Sequence, residues 1–191
     1  MFNDTRSPLA LLHTRRSGKP RDMIAPGPDA DQLRAIMAAA IRVPDHGKLN
    51  PWRFVIVGDD QRDRLSDLLT AAYRAEKPDA GRLEIDAMDQ FARQAPTLVV
   101  ALSTPVASSK IPLWEQELSV GAACMNLLTA AHASGFVGSW LTGWPTYSLA
   151  VRDAFGGPDD RIAGFIFIGS QSRDLEERPR PDYEGVVKIW G

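Results

Sequence analysis

The segment WEQELSVGAACMNLLTAAHASGFVGSWLTG, residues 114–143, joins a long helix to a following extended run. From Val120 the helical part is small and apolar nearly all round, until a glycine stops the pattern. Asn126 and His132 interrupt the run, which is too short and too polar at its centre to cross a membrane. The pattern therefore predicts a buried core helix over 114–134, followed by a short strand in FVGSWL.

Helices and strands alternate on both sides of this segment. Asp29 can cap a helix, because Gln32 stands at its third helical position, and Pro44 ends the pattern. Short apolar runs bounded by polar turns predict strands. The remaining helices are predicted at 8–16, 30–41, 59–75, within 75–95 and at 148–156, and the remaining strands at 53–58, 97–102 and 161–169. The class is therefore mixed α and β in one domain over residues 1–191, with helices in excess.

The composition excludes several kinds of protein. With 44% hydrophobic and 24% charged residues, the chain has the ordinary balance of a soluble globular domain. A formal net charge of −2 argues against a nucleic-acid or membrane partner. The single cysteine, Cys124, rules out an internal disulfide and a multi-cysteine metal site. The N-terminal apolar run is too short for a secretory signal, so we expect a cytoplasmic location.

The stretch HTRRSGKP, residues 13–20, brings Arg15, Arg16, Ser17 and Lys19 together after the first helix. An arginine guanidinium offers a planar fork to phosphate oxygens, and a serine hydroxyl adds a short donor. These residues could form a phosphate-binding site. The alternative is a solvated helix C-terminus, where cations are favoured by the helix dipole, and spacing alone does not decide between the two.

A second unusual stretch, RVPDHGKLNPWRFVIV, residues 42–57, precedes a predicted buried strand. It contains more prolines and cations than a connection between a helix and a strand needs. It could be a rigid loop that Trp52 anchors in the core, with His46 as an ordinary surface histidine. It could also present Arg42 and His46 to a ligand.

Other kinds of site are not favoured. Three histidines at 13, 46 and 132 do not have the spacing of a zinc site, so no metal is predicted. A hydrolytic triad is disfavoured because no G-x-S-x-G motif is present. The glycines of GFVGSWLTGWP, residues 135–145, allow close approach to a flat group or simply close a strand. They do not form the G-x-G-x-x-G fingerprint of dinucleotide-binding proteins.

Taken together and in order, four motifs resemble the FMN-dependent nitroreductase family, and most of all its small, compact branch. The resemblance covers nearly the whole chain, although each motif is weak alone. The motifs are RRS at 15–17, PDHGKLNPWRFVIV at 44–57, the segment 114–143 quoted above and GFIFIGS at 164–170. The resemblance implies an α+β fold with a central, mostly antiparallel sheet wrapped by helices.

The resemblance also implies a homodimer with shared active sites, holding FMN at two sites in the interface. The C-terminal tail would be exchanged between subunits. This exchange would give a place to the apolar residues of VVKIW, 186–190, which follow a long polar connection and have no obvious place in their own core.

Particular residues match the family's cofactor-binding motifs. Arg15, Arg16 and Ser17 would hold the FMN phosphate and ribityl chain, and Lys19 would lie near the N1–O2 edge of the flavin. The matching loop would cover the flavin of the other subunit with Arg42, Pro44, His46, Leu49 and Asn50. Trp140, Leu141 and Thr142 would lie beside the dimethylbenzene-to-N5 side. Arg178 and Arg180 resemble a second phosphate clamp only loosely, and Arg180 is the one predicted to bind.

The implied activity is oxidation of NADH or NADPH and reduction of a small-molecule electron acceptor by a ping-pong mechanism. Nitro compounds, quinones and similar electrophiles are the expected acceptors. Two departures from the family pattern concern specificity: Asn50 replaces a more usual glutamine, and the connection 103–113 is short. A flavin-binding or redox-sensing module without turnover is the alternative, as is a related flavin-dependent dehydrogenase. No catalytic residue is assigned.

Overall fold

The computed structural model describes all residues from 1 to 191. The helices are α1 Pro8–Thr14, α2 Ala30–Ala40, α3 Arg62–Glu76, α4 Arg82–Arg93, α5 Leu113–Ala133, α6 Trp144–Tyr147, α7 Leu149–Phe155 and α8 Tyr183–Val186. The strands are β1 Met23–Ile24, β2 Trp52–Val57, β3 Thr97–Ser103, β4 Val137–Leu141 and β5 Arg161–Gln171. No helix is long and apolar enough to span a membrane.

All five strands belong to one sheet, and every pair in it is antiparallel. The strand order is β1-β5-β3-β2, and β4 pairs with β5 on the side away from β3. Strand β2 therefore lies at one edge, and nothing in the chain pairs with its outer side. This arrangement confirms the predicted α+β class with a mostly antiparallel sheet.

The two central strands are buried on both faces, and their side chains alternate between two apolar clusters. On β3, Leu98 and Val100 face one cluster, while Val99 faces the other. On β5, Phe165 faces the first cluster and Ile166 faces the second. Because successive side chains of a strand point to opposite faces, this pattern requires a covering layer on each side of the sheet.

Helices supply both layers. The first cluster is closed by α3, α4 and α7, and the second by α2 and α5. Helix α5 buries most of its length because it packs against the sheet and α2. Its small residues, such as Ala123 and Ala131, allow this close approach. The predicted buried core helix over 114–134 is therefore confirmed within one residue at each end.

Two groups of exposed apolar residues lie on the C-terminal tail and on α5. The tail residues Ile189 and Trp190 are 98% and 100% exposed, so they take no part in the core of their own chain. On α5, Trp114 and Leu118 are more than half exposed and continue along the helix into half-buried Met125. These surfaces lie outside both apolar clusters.

Candidate functional site

The cation-rich segment begins where α1 ends. Ser7 caps the first turn by accepting a hydrogen bond from the Ala10 amide at 3.1 Å, and Arg15 is the C-terminal cap. Beyond this cap the helix does not continue, and residues 15–19 have no regular secondary structure. Gly18 allows this segment to lie against β4, since a Cβ there would come within 3.3 Å of the Val137 side chain.

Arg15 is a half-buried cation without a counter-ion. Its Nη1 donates to the Ser17 hydroxyl at 3.3 Å, and no carboxylate lies within 4 Å of its guanidinium. Burial lowers the pKa of Arg15, and the nearby charges of Arg180 and Arg16 lower it further. An arginine that is partly desolvated among other cations is a favourable partner for an anion.

Arg16 and Lys19 have different partners, both on the polar segment that follows β5. Nε of Arg16 donates to the Glu176 carbonyl at 2.8 Å and lies 3.7 Å from the Glu177 carboxylate. Lys19 lies 3.5 Å from the Glu176 carboxylate. These contacts fold the segment back over residues 16–23 and enclose a cavity of about 170 Å³.

The same contacts bring Arg180 close to Arg15, Arg16, Ser17 and Lys19, so that these residues form one polar cluster. The Glu177 carboxylate lies 3.7 Å from Nε of Arg16 and 3.5 Å from the Arg180 guanidinium, so it pairs with both cations. Arg180 is near enough to Arg15 to affect its pKa. The structure therefore brings together five of the predicted residues, namely Arg15, Arg16, Ser17, Lys19 and Arg180.

His132 lies at the end of α5 that faces this cluster. It is buried, its Nδ1 lies 3.2 Å from the Phe136 carbonyl oxygen, and its Nε2 has no partner. Burial lowers the pKa of His132 to about 4, and the charge of Arg15 contributes to the decrease. This end of α5 therefore contains polar groups whose hydrogen-bonding capacity is unused.

The loop over residues 42–50 contains the second group of predicted residues. Its backbone is tightly curved, because Gly47, Lys48 and Asn50 all have φ between +50° and +77°. The Asp45 carboxylate holds this conformation by accepting the amides of Leu49 at 3.1 Å and Asn50 at 2.9 Å. The prediction of a rigid loop is therefore supported by a definite hydrogen-bonding pattern.

One polar stripe of α5 fastens this loop to the helix. Nδ2 of Asn126 donates to the carbonyls of Ala39 and Arg42, and the Ser119 hydroxyl donates to the Pro44 carbonyl at 2.6 Å. The Glu115 carboxylate lies 2.7 Å from Nδ1 of His46. Positions 115, 119 and 126 share one face, since helical residues four and eleven apart nearly superimpose around the axis.

Trp140, Leu141 and Thr142 form the third predicted group, at the end of β4. Nε1 of Trp140 donates to the Ala163 carbonyl at 2.9 Å, and the indole lies against Gly164, where a Cβ would overlap it. Leu141 packs on the first apolar cluster. The side chains of Trp140 and Leu141 are thus engaged within the protein. The backbone of this segment and the exposed side chain of Thr142 remain available to a ligand.

Within one chain Arg15 and His46 lie far apart. His132, next to Arg15, lies seventeen positions after Glu115 on α5. At about 1.5 Å of rise per residue, this places His46 roughly 25 Å along the helix from the end next to Arg15. A single small ligand cannot contact both Arg15 and His46 of the same chain.

Comparison with known proteins gives the family. The nitroreductase family is the one whose model matches this chain, over residues 14–170. The chain belongs to the nitroreductase family. The matched range contains every predicted site residue except Arg180. The resemblance drawn from four sequence motifs is therefore confirmed.

Curated relatives agree with this assignment. Relatives from two species carry the name "Putative NAD(P)H nitroreductase". This nitroreductase-family chain is 38% identical to the protein of Haemophilus influenzae over 175 residues, covering 90% of this chain and 92% of the relative. It is 36% identical to YdjA of Escherichia coli K12 over 163 residues, covering 85% and 87%.

Solved structures share the fold. A nitroreductase-like family protein from Bacillus cereus superposes with a TM-score of 0.80 at 20% identity, covering 96% of both chains. A nitroreductase with bound FMN from Bacteroides fragilis gives 0.70 at 18% identity, covering 97% of this chain and all of the other. At these identities the comparison shows the common fold.

The residues of this nitroreductase-family chain suit a ligand that carries a phosphate. Arg15 lacks a counter-ion, Ser17 offers a hydroxyl beside it, and Arg180 adds a second guanidinium nearby. FMN has a phosphate of this kind. No group of three or more His, Cys, Asp or Glu side chains is arranged to hold a metal ion.

Sequence reasoning missed the residues that support the loop. Glu115, Ser119 and Asn126 are polar positions on one face of an otherwise apolar helix. Their spacing was a readable signal, because polar residues on a buried face need partners. The role of Asp45 in holding the loop is not predictable from sequence, because it depends on the backbone conformation of that loop.

Proposed function

We propose that this protein is an FMN-dependent oxidoreductase that uses NADH or NADPH to reduce nitro compounds, quinones or similar small electrophiles by a ping-pong mechanism. Family membership supports this class of reaction. The observation that carries the cofactor assignment is the half-buried, unpaired Arg15 beside Ser17 and Arg180. A phosphate would supply the missing counter-charge.

The bound flavin would supply the redox chemistry, taking a hydride from the nicotinamide and passing electrons to the acceptor. The protein would supply binding and orientation. Arg15 and Ser17 would hold the phosphate and ribityl chain, with Arg180 as a second clamp. Arg16 would act mainly by holding the segment that carries Arg180, because its Nε already bonds the Glu176 carbonyl.

Lys19 would stabilise the negative charge that develops at the N1–O2 edge of the reduced flavin. Its present partner, the Glu176 carboxylate at 3.5 Å, is exposed, and so is Lys19 itself. An exposed ion pair of this kind is weak, so the Lys19 ammonium is free to turn toward a bound flavin.

The active site would be shared between two chains of a homodimer. Arg15 and His46 lie at opposite ends of α5, about 25 Å apart, so one ligand can meet both only if a second chain contributes one of them. Arg42, Pro44, His46, Leu49 and Asn50 would therefore cover the flavin of the partner. The backbone of Trp140–Thr142 would line the flavin's own side.

Exposed apolar surfaces support such a dimer. Trp114 and Leu118 present an apolar strip on α5 that a second copy could cover. The tail would dock on the partner at the open edge of β2, where the strand has unpaired backbone groups. An apolar groove of about 280 Å³ beside that edge, lined by Val55, Leu68 and Phe155, would receive the tail's side chains.

The chain would function as one domain over residues 1–191. A cytoplasmic location fits Cys124, because burial raises the pKa of this thiol to about 12 and the residue has no disulfide partner. The expected partners are the second copy and a small-molecule acceptor. Nucleic acid and membranes are not among them.

The purified protein tests this proposal directly. We expect a yellow protein with the visible spectrum of oxidised flavin, and steady-state oxidation of NADH or NADPH when a quinone or nitrofuran is supplied. Initial rates measured at several acceptor concentrations should give the parallel double-reciprocal lines of a ping-pong mechanism. A protein that binds flavin but does not turn over would instead be a binding or sensing module.

A further inference from the structure

The pair formed by His46 and Glu115 has a geometry that the proposed function does not explain. Nδ1 of the imidazole lies 2.7 Å from the Glu115 carboxylate, across 69 residues of sequence. A carboxylate only accepts, so Nδ1 must carry the proton in this contact. The nitrogen that remains for any other partner is Nε2.

The pair is held on both sides. The loop that carries His46 is fixed to α5 by the Ser119 hydroxyl at the Pro44 carbonyl, one helical turn from Glu115. Asp45 fixes the following turn through two backbone amides. His46 thus belongs to a loop whose backbone is already determined, and Glu115 acts only on the orientation of its ring.

The surroundings of the pair are suited to contact with a ligand. The His46 side chain is 65% exposed, at the margin of a shallow depression lined by Pro44, Leu118, Ser119 and Ala122. The ring is held through one nitrogen and is otherwise exposed, so its other nitrogen is accessible to a partner that arrives from outside this chain.

We propose that Glu115 is a positioning residue for His46, engaging Nδ1 so that Nε2 meets a polar group of the flavin bound mainly by the partner chain. This inference rests on the proposed function. Glu115 itself touches neither flavin nor substrate. Which imidazole nitrogen carries the proton is set by the hydrogen bond that the other makes.

FMN affinity tests the proposal. Fluorescence titration of the apoprotein with FMN should show binding about three- to tenfold weaker in Glu115→Ala and in His46→Ala. The double variant should be no weaker than His46→Ala alone, because Glu115 acts only through that ring. Glu115→Gln keeps an acceptor oxygen and should restore the affinity to within about twofold.

Glu117→Ala is the matched control. This glutamate lies two residues further along α5 and pairs with Arg161 at 3.3 Å, away from the loop. Its removal should leave FMN affinity unchanged. The proposal is overturned if Glu115→Ala binds FMN like the parent protein, if it weakens binding equally in the His46→Ala background, or if glutamine does not restore affinity.

A second measurement does not depend on bound flavin. Nitrogen-15 NMR of the labelled imidazole, recorded where His46 is neutral, reports which ring nitrogen carries the proton. The parent protein should have it on Nδ1, and Glu115→Ala should shift it toward Nε2. A parent His46 protonated on Nε2 overturns the positioning role. A parent protein that does not bind FMN overturns the proposed function instead, whatever the NMR result.

Discussion

The two ends of helix α5 carry opposite kinds of polar chemistry. At the His132 end, Arg15 has no counter-ion and the imidazole Nε2 has no partner. At the other end, His46 and Asp45 have definite partners. The first end has unpaired polar groups, whereas at the second end the loop backbone is fixed and only Nε2 of His46 is left for an outside partner. In the proposed dimer, the first end would bind the phosphate and the second would present His46 to the flavin of the partner chain.

Removing the tail should have the largest effect. This deletion tests whether the two ends of α5 from different chains meet in a dimer. Deleting residues 184–191 should abolish both assembly and FMN retention, because a shared site cannot form in one chain. Light scattering coupled to size exclusion, with flavin absorbance recorded on the same peak, measures both. Deleting Gly191 alone is the control. A truncated dimer with full flavin content would contradict the shared site.

The unpaired imidazole at the first end should make stability depend on pH. The pKa of His132 in the folded protein is about 4, below its ordinary value of 6.5. The unfolded chain therefore binds this proton at higher pH, so stability is unaffected above about pH 6.5 and falls as the pH drops toward 4. The loss at pH 4 should be on the order of 3 kcal/mol.

Urea unfolding at a series of pH values measures this dependence. Between pH 6.5 and 4, His132→Leu should remove the part of the pH dependence of the unfolding free energy that this imidazole causes. His13→Leu, which changes an exposed histidine on α1, should leave the slope unaltered. Equal slopes for the parent and His132→Leu would show that the buried imidazole is protonated without cost.

Arg15→Ala should weaken FMN binding by about one to two decades, because charge-assisted hydrogen bonds contribute roughly 1.5–3 kcal/mol each. The substitution removes the unpaired cation that defines the first end. Fluorescence titration gives the dissociation constant. Arg21→Ala, an exposed cation on the same segment, is the control and should bind normally. Unchanged affinity in Arg15→Ala would remove the basis of the phosphate assignment.

Asp45→Ala should loosen the loop at the second end of α5 without removing the contact between His46 and Glu115. Two backbone amides lose their acceptor, so the free energy of unfolding should fall by about 1 kcal/mol. FMN affinity should fall about three- to tenfold in the dimer, as a rigid cover becomes mobile. Chemical denaturation and FMN titration measure the two effects. Asp79→Ala, on an exposed turn, should change neither.

Lys19→Met should have the smallest effect. It keeps the side-chain length and removes the charge proposed to stabilise reduced flavin. The midpoint potential should fall by on the order of 20 mV, which corresponds to about 1 kcal/mol for a two-electron couple. Dye-coupled reduction measures the potential, and Lys77→Met is a remote control. An unchanged or higher potential would assign Lys19 to holding Glu176 alone.

Much of this architecture could be read from local pattern. Strand β3 is a short apolar run, and α5 is apolar nearly all round, so burial of both followed from hydrophobicity. The short elements β1 and α6 were not predicted, because two to four residues carry too little periodicity. Strand β1 exists because Met23 pairs with Gln171, a contact between distant parts of the chain.

The sequence by itself determined the family, the order of the main helices and strands, and the residue types of the cofactor-binding motifs, since these depend on local spacing. Only the tertiary structure decided which of those residues meet. It separated Arg15 from His46 by the length of α5, gave Arg16 a backbone partner in Glu176, and placed Glu115 against His46. Such pairings depend on how helices and loops pack in space, and no local pattern encodes the distance between residues that packing brings together or holds apart.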